Sequence, residues 1–310
     1  MEIITDIEVV TGLNTVATIG SFDGVHKGHV AMINEARSIA QQRALSFTVI
    51  TFAQHPRLLF KKVDKPFLLT SFDEKMTLLS NCGVERCILL PFDKAMATLS
   101  AREFMEQVLC KKLGVKVLAV GYDHRFGCPK HNESFLDYVR YGKEVGIDVV
   151  RMHPYSPNGE NISSSAVRRM LDVGDVVSAN RLLGRNYSVC GNVVHGVAIG
   201  RSIGFPTANI ALCEPMQMLP LDGVYESAVE INGERYVGVM NIGHKPTLGA
   251  DERTVEVFII NFSGDIYDCN VRVQFVRRLR EEIRFASLEE LRRQIEKDVS
   301  DVLKNNNMVL

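Results

Sequence analysis

The chain has 310 residues, 46% of them hydrophobic and 24% charged, and its formal net charge is −1. This length exceeds what one hydrophobic core usually supports, so we expect two globular domains. The near-neutral charge argues against nucleic acid as a partner, and the acidic N-terminal segment does not match a signal peptide. No uninterrupted apolar stretch is long enough for a bilayer, so no membrane partner is expected. Seven scattered cysteines without C-x-x-C pairs indicate reduced thiols and a cytoplasmic location rather than disulfides or a zinc site.

Up to about Leu183, apolar runs alternate with amphipathic segments, which favours a parallel sheet covered by helices on both faces. Ligands of such sheets bind at the carboxyl ends of the strands. The predicted strands are 15–19, 47–52, 86–91, 116–121 and 147–152, and the predicted helices are 30–43, 73–82, 101–113 and 134–144.

A glycine-punctuated turn, Gly20-Ser-Phe-Asp-Gly-Val-His-Lys-Gly-His29, follows the first of these strands. Its glycines let a bulky anion approach the backbone. His26 and His29 are three residues apart, so they share one face of the first helical turn if the helix starts near Val25. A helix N-terminus suits phosphate, and two imidazoles there can donate hydrogen bonds to a nucleotide. The spacing matches neither a Walker A loop nor G-x-G-x-x-G.

Three further polar segments lie in this half. The dipeptide His55-Pro56 follows the second strand, where it could be simple loop punctuation. The segment 121–127, Gly-Tyr-Asp-His-Arg-Phe-Gly, follows the fourth strand. In 161–169, serines at a helix start form an N-cap, but arginines in a first turn are disfavoured by the helix dipole and suggest an anionic ligand.

The pattern changes after Leu183 to short runs of period two, which predict a small antiparallel β-barrel. Hairpins are predicted at Asn232-Gly233 and at Ser263-Gly264-Asp265. A capping box at Ser287 predicts a closing helix to about Leu303, followed by a frayed tail at 305–307.

Residues 172–185 are expected to join the two halves. The predicted strands are 187–194, 224–231, 236–242, 254–262 and 269–275, and the predicted apolar stripe of the helix is Leu288, Leu291, Ile295, Val299 and Val302.

The second half also contains a glycine-rich string, Gly200-Arg-Ser-Ile-Gly-Phe-Pro-Thr-Ala-Asn209, after Gly191-Asn-Val-Val-His-Gly196. Glycine repetition in a β domain could reflect bulges alone. The hydroxyl of Thr207 and the amide oxygen of Asn209 are, however, hard ligands suited to a hard cation. Glu256 lies on a predicted strand, where a glutamate is usually only solvated.

The motifs resemble those of bacterial bifunctional riboflavin kinase/FAD synthetases. The turn 20–29 is similar to G-x-F-D-G-x-H-x-G-H, 51–56 to T-F-x-x-H-P, and 162–168 to I-S-S-[ST]-x-I-R. In the barrel half, G-R-x-x-G-F-P-T-A-N and N-I-G-x-x-P-T match, and 255–257 matches v-E-x-H, except that Phe258 replaces His. The block after the fourth strand departs from the family pattern at His124, Lys130 and Asn132; lysine keeps the charge of the expected arginine but loses its planar fork.

The resemblance implies functions for these residues. The adenylyltransferase nucleotide site would comprise Gly20, Phe22, Asp23, Gly24, His26, Gly28, His29, Asp123, Ser163, Ser164 and Arg168. The kinase nucleotide site would comprise Gly200, Arg201, Gly204, Phe205, Pro206, Thr207 and Asn209, of which Thr207 and Asn209 contact Mg2+. Flavin binding would involve His55, Pro56, Asn241, Glu256 and Arg280, and the catalytic residues would be His26, His29, Arg168 and Glu256, the last as general base.

The chemistry of the two expected reactions fits this distribution. Riboflavin attacks ATP through a neutral hydroxyl and needs a base, whereas the phosphate of FMN is already ionised. We therefore expect an α/β Rossmann-like FMN adenylyltransferase domain at 1–183 and an antiparallel β-barrel riboflavin kinase domain with a C-terminal helix at 184–310. The expected substrates and products are riboflavin, FMN, FAD, ATP, ADP and pyrophosphate, with Mg2+ as cofactor; the sequence does not predict an oligomeric state.

Three alternatives stay open. The altered block at 121–132 allows a kinase with weak adenylylation. The first half alone would also fit a nucleotidylyltransferase for another phosphorylated acceptor, although this leaves the barrel without a purpose. A barrel that binds RNA is disfavoured by the neutral charge and by the absence of an aromatic-basic pattern.

Overall fold

The computed structural model describes residues 1–7, 12–59, 65–122, 125–128, 133–196, 199–247 and 250–307. The chain divides into two compact units. The first comprises Met1–Asp64 and Phe72–Ile162, and the second comprises Lys65–Ser71 and Ser163–Leu310. None of the helices in the described part of the chain combines the length and apolar character that a membrane span needs.

The first unit contains a six-stranded, fully parallel sheet in the order β1-β4-β3-β2-β5-β6. All five strands predicted in this half are present, to within one or two residues at their ends. The edge strand β1 was not predicted, because three residues are too short for a periodic signal. The strands are β1 Glu2–Ile4, β2 Thr15–Ile19, β3 Ser46–Phe52, β4 Arg86–Leu90, β5 Val115–Val120 and β6 Asp148–Arg151.

Helices cover both faces of this sheet, as predicted. Alternate residues of β2 enter different cores: Val16 packs with α1 and α3, while Ala17 and Ile19 pack with the helices between β4 and β6. The predicted α-helix 101–113 is only partly correct, because it widens into a π-helix over Met105–Lys112. The α-helices are α1 Lys27–Gln42, α2 Pro56–Leu59, α3 Phe72–Asn81, α4 Lys94–Thr98, α5 Ala101–Phe104 and α6 Phe135–Val145.

The second unit is built on a closed barrel in the order β10-β11-β8-β7-β12-β9, and all of its strand pairs are antiparallel. Closure removes the free edges that short strands would otherwise expose. The strands are β7 Tyr187–Val194, β8 Thr207–Leu212, β9 Gly223–Ile231, β10 Glu234–Thr247, β11 Ala250–Ile259 and β12 Asn270–Arg280; the helices are α7 Ser164–Asp172, α8 Val176–Leu183, α9 Ile199–Ser202 and α10 Leu288–Asn307.

The structure confirms one predicted hairpin and contradicts the other. Asn232 and Gly233 have φ values of 51° and 85° and join β9 to β10, which pair directly. The hairpin at 263–265 is wrong, because β11 pairs with β10 and β8 while β12 pairs with β7 and β9. Turn residues predict that the chain bends, but they do not determine which strands pair. Barrel closure determines the pairing. The strand β8 was also missed, since its sequence had been interpreted only as a binding loop.

Two expectations about the C-terminal helix are corrected. Leu288 is 55% exposed, so the buried stripe of α10 begins later than predicted. The tail at 305–307 is not frayed, because α10 continues to Asn307. The amides of Asn305 and Asn306 reach the carboxylate of Glu226, which is 2% exposed and also accepts a hydrogen bond from Arg277 Nε at 2.6 Å.

A short segment from the first half of the chain belongs to the second unit. The main-chain N–H groups of Phe67 and Leu68 both donate to the oxygen of Met216 at 2.9 Å, and Met218 N donates to Leu68 O at 2.8 Å. Helices α7 and α8 fall in the same unit. The boundary between residues 183 and 184 stays a prediction about functional domains.

We predict that Asn306→Ala lowers the free energy of unfolding by about 2 kcal/mol, because the buried Glu226 carboxylate loses a hydrogen-bond donor. Urea denaturation measures the change. The exposed neighbour Lys304 supplies the control, and Lys304→Ala should stay within about 0.5 kcal/mol of the parent. Equal stability of the Asn306 variant and the parent would contradict the docking role of the helix end.

Candidate functional sites

The glycine-punctuated turn leaves the carboxyl end of β2 and is held by the neighbouring strand β3. Gly20 N donates to Ile50 O at 3.1 Å, and Thr51 Oγ1 donates to Ser21 O at 3.3 Å. The turn residues Phe22 and Val25 have φ values of 49° and 35°, a region that side chains with a Cβ rarely occupy. Both side chains are fully buried, so packing holds the strained conformation in place.

The two histidines of the turn lie against each other. His26 is the N-cap of α1: its Nδ1 accepts the N–H of His29 at 3.2 Å. The helix begins at Lys27, three residues before the predicted segment 30–43. The two rings stack with centroids 3.7 Å apart and 16° between their planes. Because Nδ1 of His26 accepts a hydrogen bond, the ring is neutral and carries its proton on Nε2. A Cβ at Gly28 would lie 3.1 Å from the His26 ring, so this glycine leaves room for the imidazole.

A buried carboxylate and a half-buried lysine accompany this turn. Asp23 is only 3% exposed, and the ammonium of Lys75 on α3 donates to Phe52 O at 3.3 Å. Burial lowers the pKa of Lys75, while the negative charge of Asp23 raises it and so opposes that shift. The turn that is predicted to bind an anion therefore contains a buried acid of its own, Asp23.

The other predicted site residues of the first unit lie outside the glycine-punctuated turn. His55 Nδ1 accepts the N–H of Arg57 at 3.2 Å, and Pro56 is the first residue of α2, so the dipeptide has at least a structural role. Asp123, together with the departures His124, Lys130 and Asn132, lies outside the described residues.

The predicted serine-arginine segment forms the start of α7 in the second unit. Ser163 is the N-cap, and its hydroxyl accepts the N–H of Ala166 at 3.2 Å, as the sequence predicts. Ser164 is the first helical residue. Arg168 is half-buried; its Nε donates to Phe67 O at 2.7 Å, and the guanidinium lies 5.5 Å from the Phe67 ring centroid.

A cavity of about 290 Å³ opens in the second unit between the barrel and its C-terminal helix. Its polar lining comes from Thr207, Asn241, Glu256, Arg280, Glu282 and Asp298. The rest of the lining is mostly apolar, with Phe205 and Phe258 packed edge to face at 5.2 Å. Phe258, which departs from the family pattern, is therefore part of the cavity wall. The apolar lining residues are Ile203, Phe205, Val224, Val239, Phe258, Ile283, Phe285, Leu291 and Ile295.

Four oxygen-bearing side chains come together across the barrel strands. Glu256 on β11 pairs with Asn209 on β8 and with Asn241 on β10, so the three form one row. Thr207 lies two residues before Asn209 and therefore on the same face of β8. Its hydroxyl donates to Glu256 Oε2 at 3.3 Å. A hydroxyl, an amide and a carboxylate in this arrangement fit the oxygen preference of Mg2+. No cluster of three or more His, Cys, Asp or Glu side chains suited to a metal occurs among the described residues.

The glycine-rich loop packs tightly at the entrance to β8. Phe205 N donates to Gly200 O at 2.8 Å, and a Cβ on Gly200 would lie 2.2 Å from Phe205 O, so a larger residue would displace the backbone. A Cβ on Gly196 would likewise lie 2.1 Å from the side-chain nitrogen of Asn209. Gly200, Phe205 and Thr207 line the cavity, whereas Arg201, Gly204 and Pro206 are exposed at the surface of the loop.

The C-terminal segment supplies a wall of this cavity that the sequence did not predict. Arg280 binds Asp298 on α10 through Nε at 3.0 Å and Nη2 at 2.8 Å. Asn241 Nδ2 donates to Glu282 Oε1 at 3.0 Å. Arg280 was predicted to bind flavin; the structure places it in the cavity lining with its guanidinium oriented by Asp298. A signal for Asp298 existed, since it falls on the apolar stripe three residues after Ile295, where an acid requires a partner.

Comparison with known families matches both halves of the chain. The FAD synthetase family model matches residues 11–166, and the riboflavin kinase family model matches residues 183–305. The chain is 39% identical over 284 residues to the bifunctional riboflavin kinase/FMN adenylyltransferase of Escherichia coli K12, covering 91% of this chain and 90% of that protein. The chain belongs to this bifunctional family.

Two further similarities also extend over most of the chain. The corresponding protein of Bacillus subtilis is 33% identical over 294 residues, which cover 94% of this chain and 92% of the relative. A crystal structure of a protein described as a macrolide-efflux protein from Streptococcus pneumoniae matches with a TM-score of 0.87 and 31% identity, covering 97% of this chain and 98% of the other. The family thus accounts for both the parallel-sheet half and the barrel half.

We predict that His26→Ala lowers the free energy of unfolding of the first unit by about 1 kcal/mol, because α1 loses its N-cap. His26→Asn is the matched control: its side-chain oxygen can accept the same N–H, so stability should stay within a few tenths of a kcal/mol, roughly. Denaturant unfolding of both variants measures the difference. Equal destabilisation by the two substitutions would show that His26 does not stabilise the protein as an N-cap.

Proposed function

We propose that the barrel of this chain transfers the γ-phosphoryl group of ATP to riboflavin, giving FMN and ADP, and that the parallel-sheet half transfers adenylyl from a second ATP to FMN, giving FAD and pyrophosphate. The observation that supports this proposal best is the contrast between two donor sets. A carboxylate and a hydroxyl share the barrel cavity, whereas two stacked imidazoles stand at the helix N-terminus of the sheet half.

In the kinase reaction, the attacking group is the terminal hydroxyl of the ribityl chain. Glu256 is the base that accepts its proton, and the hydroxyl of Thr207 orients the carboxylate. The apolar walls formed by Phe205 and Phe258 suit the flat isoalloxazine ring, with Asn241 beside it. Arg280 and Glu282 come from the C-terminal segment and complete the polar lining.

Thr207 and Asn209 would hold Mg2+, with Glu256 next to them across the strands. The bound ion would supply positive charge against the phosphate oxygens of ATP. Gly200 and Gly204 keep the preceding loop free of side chains, so that main-chain groups can approach the nucleotide. Arg201 and Pro206 lie in the same exposed loop and would border the phosphates.

In the adenylyl-transfer reaction, an ionised phosphate oxygen of FMN attacks the α-phosphorus of ATP and pyrophosphate leaves in line. No base is required, so the site must instead stabilise negative charge. His26 donates through Nε2, and His29 lies over it at the start of α1. The positive end of the helix dipole adds to this stabilisation. Gly20, Gly24 and Gly28 keep the turn open.

The overall reaction is tested by incubating the protein with riboflavin, ATP and Mg2+ and separating the flavins by chromatography. Both FMN and FAD should accumulate, with FMN first. Accumulation of FMN alone would restrict the chain to a kinase. Absence of both products would reject the proposal. Adenylylation of a different phosphorylated acceptor would show that the first half is a nucleotidylyltransferase for that acceptor.

We predict that His29→Ala reduces FAD formation from FMN by about 100-fold or more, because a donor to the developing charge is lost. Riboflavin phosphorylation should change by less than about two-fold, since the barrel is untouched. Glu256→Gln should do the reverse, with a loss of about 100-fold in phosphorylation. Separate steady-state assays of the two reactions measure the split, and a parallel loss of both activities in either variant would contradict the assignment of separate sites.

A further inference from the structure

Glu282 contacts one of the other polar residues that line the barrel cavity, Asn241. The Nδ2 atom of Asn241 donates a hydrogen bond to Glu282 Oε1 at 3.0 Å. Asn241 lies on β10, whereas Glu282 follows the end of β12, and both residues line the cavity. The hydrogen bond therefore joins the C-terminal segment to the barrel wall inside the proposed kinase site.

The carboxylate of Glu282 determines which way the Asn241 amide faces. An ionised carboxylate accepts hydrogen bonds but donates none, so it can bind the NH2 group of an amide and not its oxygen. Because Nδ2 is turned toward Glu282, the Oδ1 atom lies on the other side of the amide group. Within the part of the chain that the structure describes, no group donates to this oxygen. Asn241 therefore offers a hydrogen-bond acceptor to a ligand of the cavity.

Gly243 leaves the space that the Glu282 carboxylate occupies. A Cβ built on Gly243 would overlap this carboxylate, and its three nearest neighbours would all be atoms of that group. The φ angle of Gly243 lies outside the left-handed region, so the backbone conformation does not itself require glycine. The absence of a side chain at position 243 thus admits Glu282 to its contact with Asn241.

Asn241 also stands next to the proposed catalytic base. It lies directly opposite Glu256 on the paired strands β10 and β11. The Cβ atoms of such a pair are about 4.5–5.5 Å apart, and both side chains are on the same face. Glu256 is proposed to accept the proton of the terminal ribityl hydroxyl. An acceptor beside it is within reach of the secondary hydroxyls of the same chain, each of which can donate a hydrogen bond.

We propose that Glu282 is a positioning residue for riboflavin phosphorylation: it fixes the Asn241 amide so that Oδ1 accepts a hydrogen bond from a secondary ribityl hydroxyl, which places the terminal hydroxyl beside Glu256. This inference rests on the proposed kinase function of the barrel. It makes the pair of Asn241 and Glu282 a determinant of specificity for a polyhydroxyl chain over a simple alkanol. Glu282 acts through Asn241 and need not touch the substrate.

The first experiment compares two replacements of Glu282 in steady-state assays of riboflavin phosphorylation. Glu282→Leu should lower kcat/KM for riboflavin by about ten-fold, the size expected when one hydrogen bond to the substrate is lost. Glu282→Gln keeps an acceptor for Nδ2 and should stay within about three-fold of the parent. The matched control is Glu281→Leu, because that side chain is exposed and does not line the cavity, and its kcat/KM should match the parent.

The outcomes of this comparison separate the inference from the function on which it rests. Parent protein that forms no FMN would refute the proposed kinase function. If the parent forms FMN and Glu282→Leu forms it equally well, this inference alone is refuted. Equal losses in Glu282→Leu and Glu282→Gln would also refute it, because orientation of the Asn241 amide requires only an acceptor.

A riboflavin analogue with an ω-hydroxypentyl chain in place of ribityl distinguishes positioning from a general loss of stability. The analogue keeps the attacking hydroxyl but lacks the proposed partner of Asn241. The parent should phosphorylate it about ten-fold less efficiently than riboflavin. Glu282→Leu should phosphorylate it as efficiently as the parent does, within about two-fold. A further ten-fold loss, roughly, by Glu282→Leu on the analogue would overturn the proposal, because Glu282 would then act independently of the secondary hydroxyls.

Gly243→Ala tests the same contact without changing a residue that lines the cavity. The added methyl group should displace the Glu282 carboxylate from Asn241 and lower kcat/KM for riboflavin by about ten-fold. Added to Glu282→Leu, it should cost less than about two-fold further. An undiminished loss in that background would contradict the proposal. Hydrogen exchange at the β10 and β11 amides, measured on the same variants, reports whether the barrel stays folded.

Discussion

The packing of a strained turn against the end of a parallel strand is the constraint on which the sheet half depends. Residues between β2 and α1 must reverse direction within seven positions, and Phe22 and Val25 do so with positive φ values. Their buried side chains and the bond from Thr51 to Ser21 hold them there. This strained backbone conformation leads directly into α1, so both imidazoles lie at a helix N-terminus, where an anion is stabilised.

Barrel closure has the corresponding role in the second unit. It brings β8, β11 and β10 side by side, so residues separated by tens of positions in the chain form a single row containing Asn209, Glu256 and Asn241. The C-terminal helix lines one side of the cavity and supplies Asp298, which orients Arg280. Glu256, the proposed base, is thereby held in a cavity whose lining is mostly apolar.

The family assignment and the geometry of the two sites agree that the two halves carry out different chemistry. A neutral hydroxyl nucleophile requires a base, and the barrel has Glu256 beside Thr207. A nucleophile that is already an anion requires charge stabilisation, and the sheet half has stacked histidines on a helix dipole. Each half of the chain matches its own family model, so the two reactions need not share any catalytic group.

Much of this protein was determined by local sequence. Strand and helix periodicity predicted the parallel sheet, the glycine spacing predicted the turn, and Ser163 predicted the start of α7, because these features depend on neighbours a few residues apart. The sequence could not predict that β11 and β12 lie apart, that the end of α10 binds Glu226, or that Arg280 is the partner of Asp298. Those contacts join residues distant in the chain, and only the tertiary structure selects them, through barrel closure and the need to compensate buried charge.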